Sequence, residues 1–307
     1  PLRRQRQMCI RDRKETKQNK AKLPNILISN DIEVTNNLKE AVSDKDILVL
    51  AVPSKAIRSV SKSLKNIIKD NQIIVNVAKG LEEDTLKTMT DIIEEELKEK
   101  NPQVAVLSGP SHAEEVGKGI PTTCVVSAHN KELTLYLQNI FMNPSFRVYT
   151  SPDMIGVEIG GALKNVIALA AGIADGLNYG DNTKAALITR GINEMFEIAK
   201  YYNANPKTFM GLSGLGDIIV TCTSKHSRNR YVGEKLGQGQ KIEDIVSHMN
   251  MVSEGAETIK ALYKIIKENN LKAPIFTALY EVIYDGKPVS ELESTFMSRD
   301  LKSEFLN

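Results

Sequence analysis

The 307-residue sequence predicts an α/β domain, built on a doubly wound parallel sheet, followed by an all-helical domain. Three observations carry this reading. Short, continuously apolar runs alternate with helical stretches through the first half. Past about residue 150 only helical patterns continue. Glycines and small residues gather just after the apolar runs. Strands buried on both faces between helix layers read as unbroken apolar runs, which favours a parallel sheet.

Taken in order, the chain opens on a basic arm. Residues 1–22 carry nine Lys/Arg against Asp12 and Glu15, a net of +7, and the rest of the chain a net of −5. The arm has no aromatic to stack on bases, so a solvated tail is expected, not a nucleic-acid contact. Residues 1–13 begin without Met and fit nothing that follows. They read as a non-native-looking tail, which the upstream coding sequence would test. The strands expected next are 47–52 (stopped by Pro53), 73–77, 104–107 and 124–126. The helices between and after them are 54–68, 86–98 and 131–142. The second half predicts helices at 154–177, 183–202, 242–249, 257–269 and 274–284, with the boundary near 150.

Composition narrows the class. With 25% charged and 41% hydrophobic residues, collagen and low-complexity chains are excluded. No apolar run approaches the roughly 20 residues of a membrane helix, so no membrane association is expected. Cys9, Cys124 and Cys222 are far apart, form no C-x-x-C, and do not cluster with the four histidines. Neither disulfides nor a metal site is expected, and a reducing cytoplasm is the simplest compartment. Three G-x-G pairs occur, at 117–119, 214–216 and 237–239. Each has Thr122, Ile219 or Ile242 where G-x-G-x-x-G needs a small residue, and none follows a strand suitably. The phosphate-cradling turn of a dinucleotide fold is absent from the sequence as given.

Several residue groups can carry chemistry. Lys164 and Asn165 sit in a helix rich in Gly and Ala. Burial lowers a lysine's pKa and makes it a base near neutrality, whereas a snorkelling lysine would stay solvated. Lys79-Gly80 and Ser108-Gly109-Pro110-Ser111 follow apolar runs, where open sheets bind ligands. The alternatives are a surface lysine and a tight turn. Asp217 ends a glycine-dense loop and either orients a lysine or substrate hydroxyl, or caps a helix. Ser227-Arg228-Asn229, a little beyond Thr221, suits phosphate oxygens or is a polar loop. Residues 251–256 are either a ligand-facing loop or a helix lead-in. Together these signals are compatible with a phosphorylated small molecule meeting a lysine base between two domains.

The sequence resembles the bacterial NAD(P)-dependent glycerol-3-phosphate dehydrogenases from about Lys14 to Asn307. The resemblance rests on LSGPSHAEEV at 107–116, GVEIGGALKNVIALAAGIADGL at 156–177, GDNTKAALITRG at 180–191, GLSGLGDIIVTCTSKHSRNR at 211–230 and VSEGAETI at 252–259. It implies a truncated Rossmann-type domain at 14–150 and a helical substrate and catalytic domain at 151–307. The implied reaction interconverts sn-glycerol 3-phosphate and dihydroxyacetone phosphate with NAD or NADP, for phospholipid synthesis. A homodimer is compatible with it. The resemblance makes Lys164 the proton acceptor, Asp217 its accompanying carboxylate, and Lys79 a lysine near substrate and cofactor. Gly109, Ser111, Ser227, Arg228 and Asn229 become substrate contacts, with Asn165 and Thr221 as neighbours. Ala113, Arg228, Val252 and Glu254 become cofactor contacts. Because the family's opening strand–turn–helix–strand has no counterpart here, weak NAD(P)H binding is expected of the sequence as given, measurable by calorimetry. A non-catalytic fragment and a related hydroxy-acid reductase are the competing readings.

Overall fold

The computed structural model describes residues 10, 13–20, 22–247, 249, 253–292, 297 and 303–304. Strands β1 (Gln18–Asn19) and β2 (Leu23–Leu27) form a small antiparallel hairpin that the apolar pattern does not announce. The main sheet holds β3 (Ile47–Leu50), β4 (Ile73–Asn76), β5 (Gln103–Ser108), β6 (Thr122–Ala128) and β7 (Phe146–Ser151), in that spatial order. β3, β4 and β5 are parallel, so the loops after them emerge at one edge.

The expected parallel sheet followed by a helical domain is present, with one antiparallel pair within it. β6 runs antiparallel to β5, and β7 runs parallel to β6. A parallel crossover normally carries a full helix. The link between β5 and β6 contains only the one-turn helix Ala113–Val116, so the chain doubles back. β7 escaped the apolar-run criterion because it is an edge strand, with Val148 buried and Arg147 and Tyr149 exposed. Period-two alternation was its available signal.

Local chemistry sets the helix ends. The segment expected as 86–98 starts as a helix only at Met89. Leu86 has φ +61°, outside the helical region, and Thr88 with Asp91 forms a capping box. The segment expected as 54–68 is a 3-10 turn at Ser54–Ala56, then a helix at Ile57–Leu64. Helices Leu38–Val42, Ala113–Val116 and Arg228–Gly237 were not expected, and Asp217–Thr223 was expected only through the capping alternative at Asp217.

The helical domain is organised on one central helix, Met154–Gly176, which begins where Asp153 accepts a hydrogen bond from the Gly156 N–H at 2.9 Å. This corrects the reading that no apolar stretch approaches membrane length: the helix is long and apolar enough to span one. Its apolarity is instead that of a core element, 94% of its most apolar window being buried. Helices Gly180–Tyr202, Asp217–Thr223, Arg228–Gly237 and Glu254–Glu268 pack around it.

The glycines in this helix are explained by contact. A Cβ on Gly172 would lie 2.0 Å from the Arg230 carbonyl oxygen, and one on Gly233 only 2.1 Å from that of Leu169. Backbone meets backbone there, and no side chain can yield. Gly233→Ala is therefore expected to cost about 3 kcal/mol or more, the upper range for overpacking. Urea denaturation measures this, and an unchanged midpoint would show that the two helices separate freely.

Buried hydrogen bonds join the two domains. Glu158 of the central helix accepts from the Thr90 N–H at 2.9 Å and from the Thr90 hydroxyl at 2.5 Å. Burial pushes its carboxyl up to about 7. Tyr202 donates its hydroxyl proton to the Leu86 carbonyl at 2.6 Å. These ties bring the middle of the central helix close to the end of β5 and the loop after β4: a Cβ on Gly161 would meet Ser108 Oγ at 2.8 Å and the Lys79 stem at 3.4 Å.

Candidate active site

Lys164 is buried, with 8% of its surface exposed, so the snorkelling alternative does not describe it. Its ammonium donates to Asp217 Oδ1 at 2.6 Å and Thr221 Oγ1 at 2.9 Å. An ammonium has three N–H bonds, which leaves one for a ligand. Burial is the largest influence on Lys164, followed by the nearby charge of Lys79. Together they bring its pKa down to about 8 from the usual 10.5.

Asp217 is the hub. Its second oxygen accepts from Lys79 Nζ at 2.5 Å, and Lys79 also donates to the Gly109 carbonyl at 3.1 Å. Asp217 is 1% exposed. Burial alone would push its carboxyl up, but the charges of Lys79 and Lys164 outweigh that and hold it below the ordinary range. The capping alternative does not apply, because Asp217 opens its helix and Gly216 occupies the cap position. Thr221, one turn on, donates its hydroxyl proton to the Asp217 carbonyl at 2.5 Å, which orients its oxygen toward Lys164. Lys79 from the sheet domain and Lys164 from the helical domain thus share one buried carboxylate.

The remaining residues surround this cluster in two groups. Ser227 caps the helix Arg228–Gly237 by accepting from the Arg230 N–H at 3.2 Å. The segment expected as a loop is therefore the start of a ten-residue helix, whose N-terminal end and Arg228 favour an anion. Asn229 points the other way. It donates to Asn165 Oδ1 at 2.9 Å, and its own oxygen accepts from Ser253 Oγ at 2.9 Å and the Gly255 N–H at 3.0 Å. Asn165 in turn lies 3.5 Å from Glu254 Oε2. Glu254 is raised above the usual carboxylate range by burial, which outweighs the pull of Arg228 and Lys164. Ser253 lay within the 251–256 segment singled out in the sequence, but no role was given to it; it stands just ahead of the helix Glu254–Glu268. Val252 lies outside the described residues.

At the sheet edge, Ser111 Oγ donates to the Gly109 carbonyl at 3.1 Å, and Ala113 opens the short helix that follows. Gly80 and Gly109 have φ of +157° and +143°. A Cβ on Gly80 would meet Ser54 at 2.9 Å, so these loops keep a close-approach edge beside the lysines. That edge, with Glu254 facing it, fits the nicotinamide end of a dinucleotide. No G-x-G-x-x-G is available in the sequence for its pyrophosphate. Two surface depressions, of about 250 and 440 Å³, lie away from Lys164 and Asp217.

An α/β sheet whose strand ends face a helical domain across a shared lysine–carboxylate cluster defines a two-domain dehydrogenase. Known proteins make the class specific. Models of the NAD-dependent glycerol-3-phosphate dehydrogenase N-terminus and C-terminus match residues 3–134 and 153–294. The chain is 72% identical to glycerol-3-phosphate dehydrogenase [NAD(P)+] of Fusobacterium nucleatum, over 95% of this chain and 87% of that one. It is 50% identical to the Bacillus subtilis enzyme of the same name, over 93% and 83%. The crystal structure of glycerol-3-phosphate dehydrogenase from Coxiella burnetii superposes with a TM-score of 0.90 at 29% identity, covering 95% of this chain and 89% of that one. The chain belongs to the NAD(P)-dependent glycerol-3-phosphate dehydrogenase family and is an oxidoreductase. Neither the fragment reading nor the hydroxy-acid reductase reading is favoured.

Proposed function

We propose that this chain interconverts sn-glycerol 3-phosphate and dihydroxyacetone phosphate with NAD or NADP, in the cytoplasm, supplying glycerol 3-phosphate for phospholipid synthesis. The observation that carries the residue roles is the buried Lys164–Asp217–Lys79 cluster. Lys164 Nζ takes the C2 hydroxyl proton in the oxidation direction and returns it in reduction. Its pKa of about 8 suits both directions near neutral pH. Asp217 holds the amine in place through Oδ1, with Thr221 as its second anchor. Lys79 offers a second cation to the oxygen as negative charge grows on it.

The phosphate binds at Ser227 and Arg228, where a helix start and a guanidinium fork coincide. That anchor, with Gly109 and Ser111 beside the reacting end, fixes the substrate carbon against the lysines. Asn165 and Asn229 hold three helices in register and have limited hydrogen-bonding capacity left for the substrate. Ala113, Val252 and Glu254 are assigned to the cofactor, whose bound nicotinamide supplies or accepts the hydride.

The sign of the pH dependence tests this assignment. Oxidation needs the neutral amine, so its kcat/KM is expected to rise through pH about 8. Reduction needs the ammonium, so its kcat/KM falls above the same value. Initial rates from pH 6 to 10 in both directions check this, with a 2-keto acid as the comparison substrate. Parallel profiles in the two directions, or equal turnover of the 2-keto acid, would overturn the proposal.

A further inference from the structure

His112 stands between Ser111 and Ala113 in the loop after β5, and the mechanism above leaves it unused. Its Nε2 is shielded from solvent and has no hydrogen-bond partner among the described residues. The Val220 backbone carbonyl acts on the ring and opposes the lowering of its pKa; with Nε2 unpartnered, Nδ1 is the nitrogen left to face that carbonyl. Val220 is on the helix that carries Asp217 and Thr221, so the ring is wedged between the sheet edge and the catalytic helix. The His226 ring, one residue before Ser227, lies 6.1 Å away centroid to centroid.

The chemical state follows from these contacts. A ring that donates through Nδ1 and is neutral presents Nε2 as an acceptor. Neutrality is favoured: burial first, then the charge of Lys164, lower the imidazole's pKa below its ordinary value, against the opposing pull of Asp217, Glu114 and the Val220 carbonyl. A shielded acceptor without a donor is costly, and a ligand bound beside the neighbouring Ser111 and Ala113 would complete it. Phosphate as a dianion has no proton to give. A hydroxyl has.

We infer that His112 is a ligand-binding residue of this dehydrogenase, its Nε2 accepting a hydrogen bond from a hydroxyl of the bound ligand. Two hydroxyl sources are chemically equivalent here: the terminal hydroxymethyl of the three-carbon substrate and a hydroxyl of the nicotinamide ribose. The inference rests on the site assignment above. It extends that assignment to a side chain that discriminates hydroxylated ligands from deoxy analogues.

The test is nitrogen NMR on the full chain with ¹⁵N-labelled histidine, titrated with glycerol 3-phosphate alone and NADH alone. A pyridine-type nitrogen moves upfield when it accepts a hydrogen bond. The expected result is that the His112 Nε2 resonance moves with one of the two ligands, which identifies the source. No movement with either, at concentrations where calorimetry shows the ligand bound, overturns the inference. By calorimetry, His112→Phe weakens the responding ligand roughly 10-fold, and His112→Gln, which restores an acceptor near Nε2, recovers it to within about threefold. Unchanged affinities in His112→Phe also overturn it. Arg228→Ala separates this failure from failure of the site assignment. If Arg228→Ala weakens glycerol 3-phosphate while His112 stays silent, only the role of His112 falls. If neither responds, both fall.

Discussion

Replacing Lys164 by methionine is expected to lower kcat by about 10³-fold or more in both directions while the fold survives. Proton transfer by a positioned group contributes roughly 10²–10⁴-fold, and Lys164 also places positive charge beside the reacting oxygen. Survival of the fold follows from the cluster's composition. Asp217 keeps Lys79 at 2.5 Å, so no buried carboxylate is stranded. Methionine also fills the stem's volume without a desolvated charge. Single-turnover rates and a circular-dichroism melt measure the two halves. Turnover within tenfold of the parent would remove Lys164 from proton transfer, and a collapsed melt would make its role structural.

Asp217→Asn has the opposite profile, a large loss of stability. The substitution leaves two ammonium groups facing one another with no carboxylate between them. Stranding a buried charge typically costs about 3–5 kcal/mol. Urea denaturation at pH 7 is expected to show a loss in that range, and a loss below 1 kcal/mol would mean that the cluster is far better solvated than its 1% exposure indicates. The parent's pH dependence has two parts. The folded-state pKa of Asp217 is lowered, so its contribution is fully present above the ordinary carboxylate range and is lost as pH falls through the folded value. Lys164 titrates near 8 when folded and near 10.5 when unfolded. The unfolded chain therefore binds more protons between those values, and this group alone makes stability rise with pH there.

The two variants separate functions that geometry combines. Lys164 and Lys79 come from different domains and meet only through Asp217. A change that loosens the interface, such as loss of the Glu158–Thr90 bonds, would act on the chemistry through this shared carboxylate.

The alternation of apolar runs and helical stretches was enough to place β3, β4, β5 and β6, because β4, β5 and β6 are buried on both faces and β3 is continuously apolar although its Val49 is exposed. It was also enough to place Met154–Gly176 and Pro274–Tyr284, whose apolar patterns are long. The motif segments pointed to the family and to Lys164, Asp217, Thr221 and Lys79, which the fold joins by hydrogen bonds. Tertiary structure decided the rest. The direction of β6 depended on how little helix its connection holds. The close packing of the helix Arg228–Gly237 depended on the glycines of the central helix, Gly172 and Gly176. Above all, the protonation behaviour of Lys164 and the unpartnered nitrogen of His112 follow from desolvation and from charges distant in sequence. Such long-range terms depend on distances between residues that local patterns do not encode.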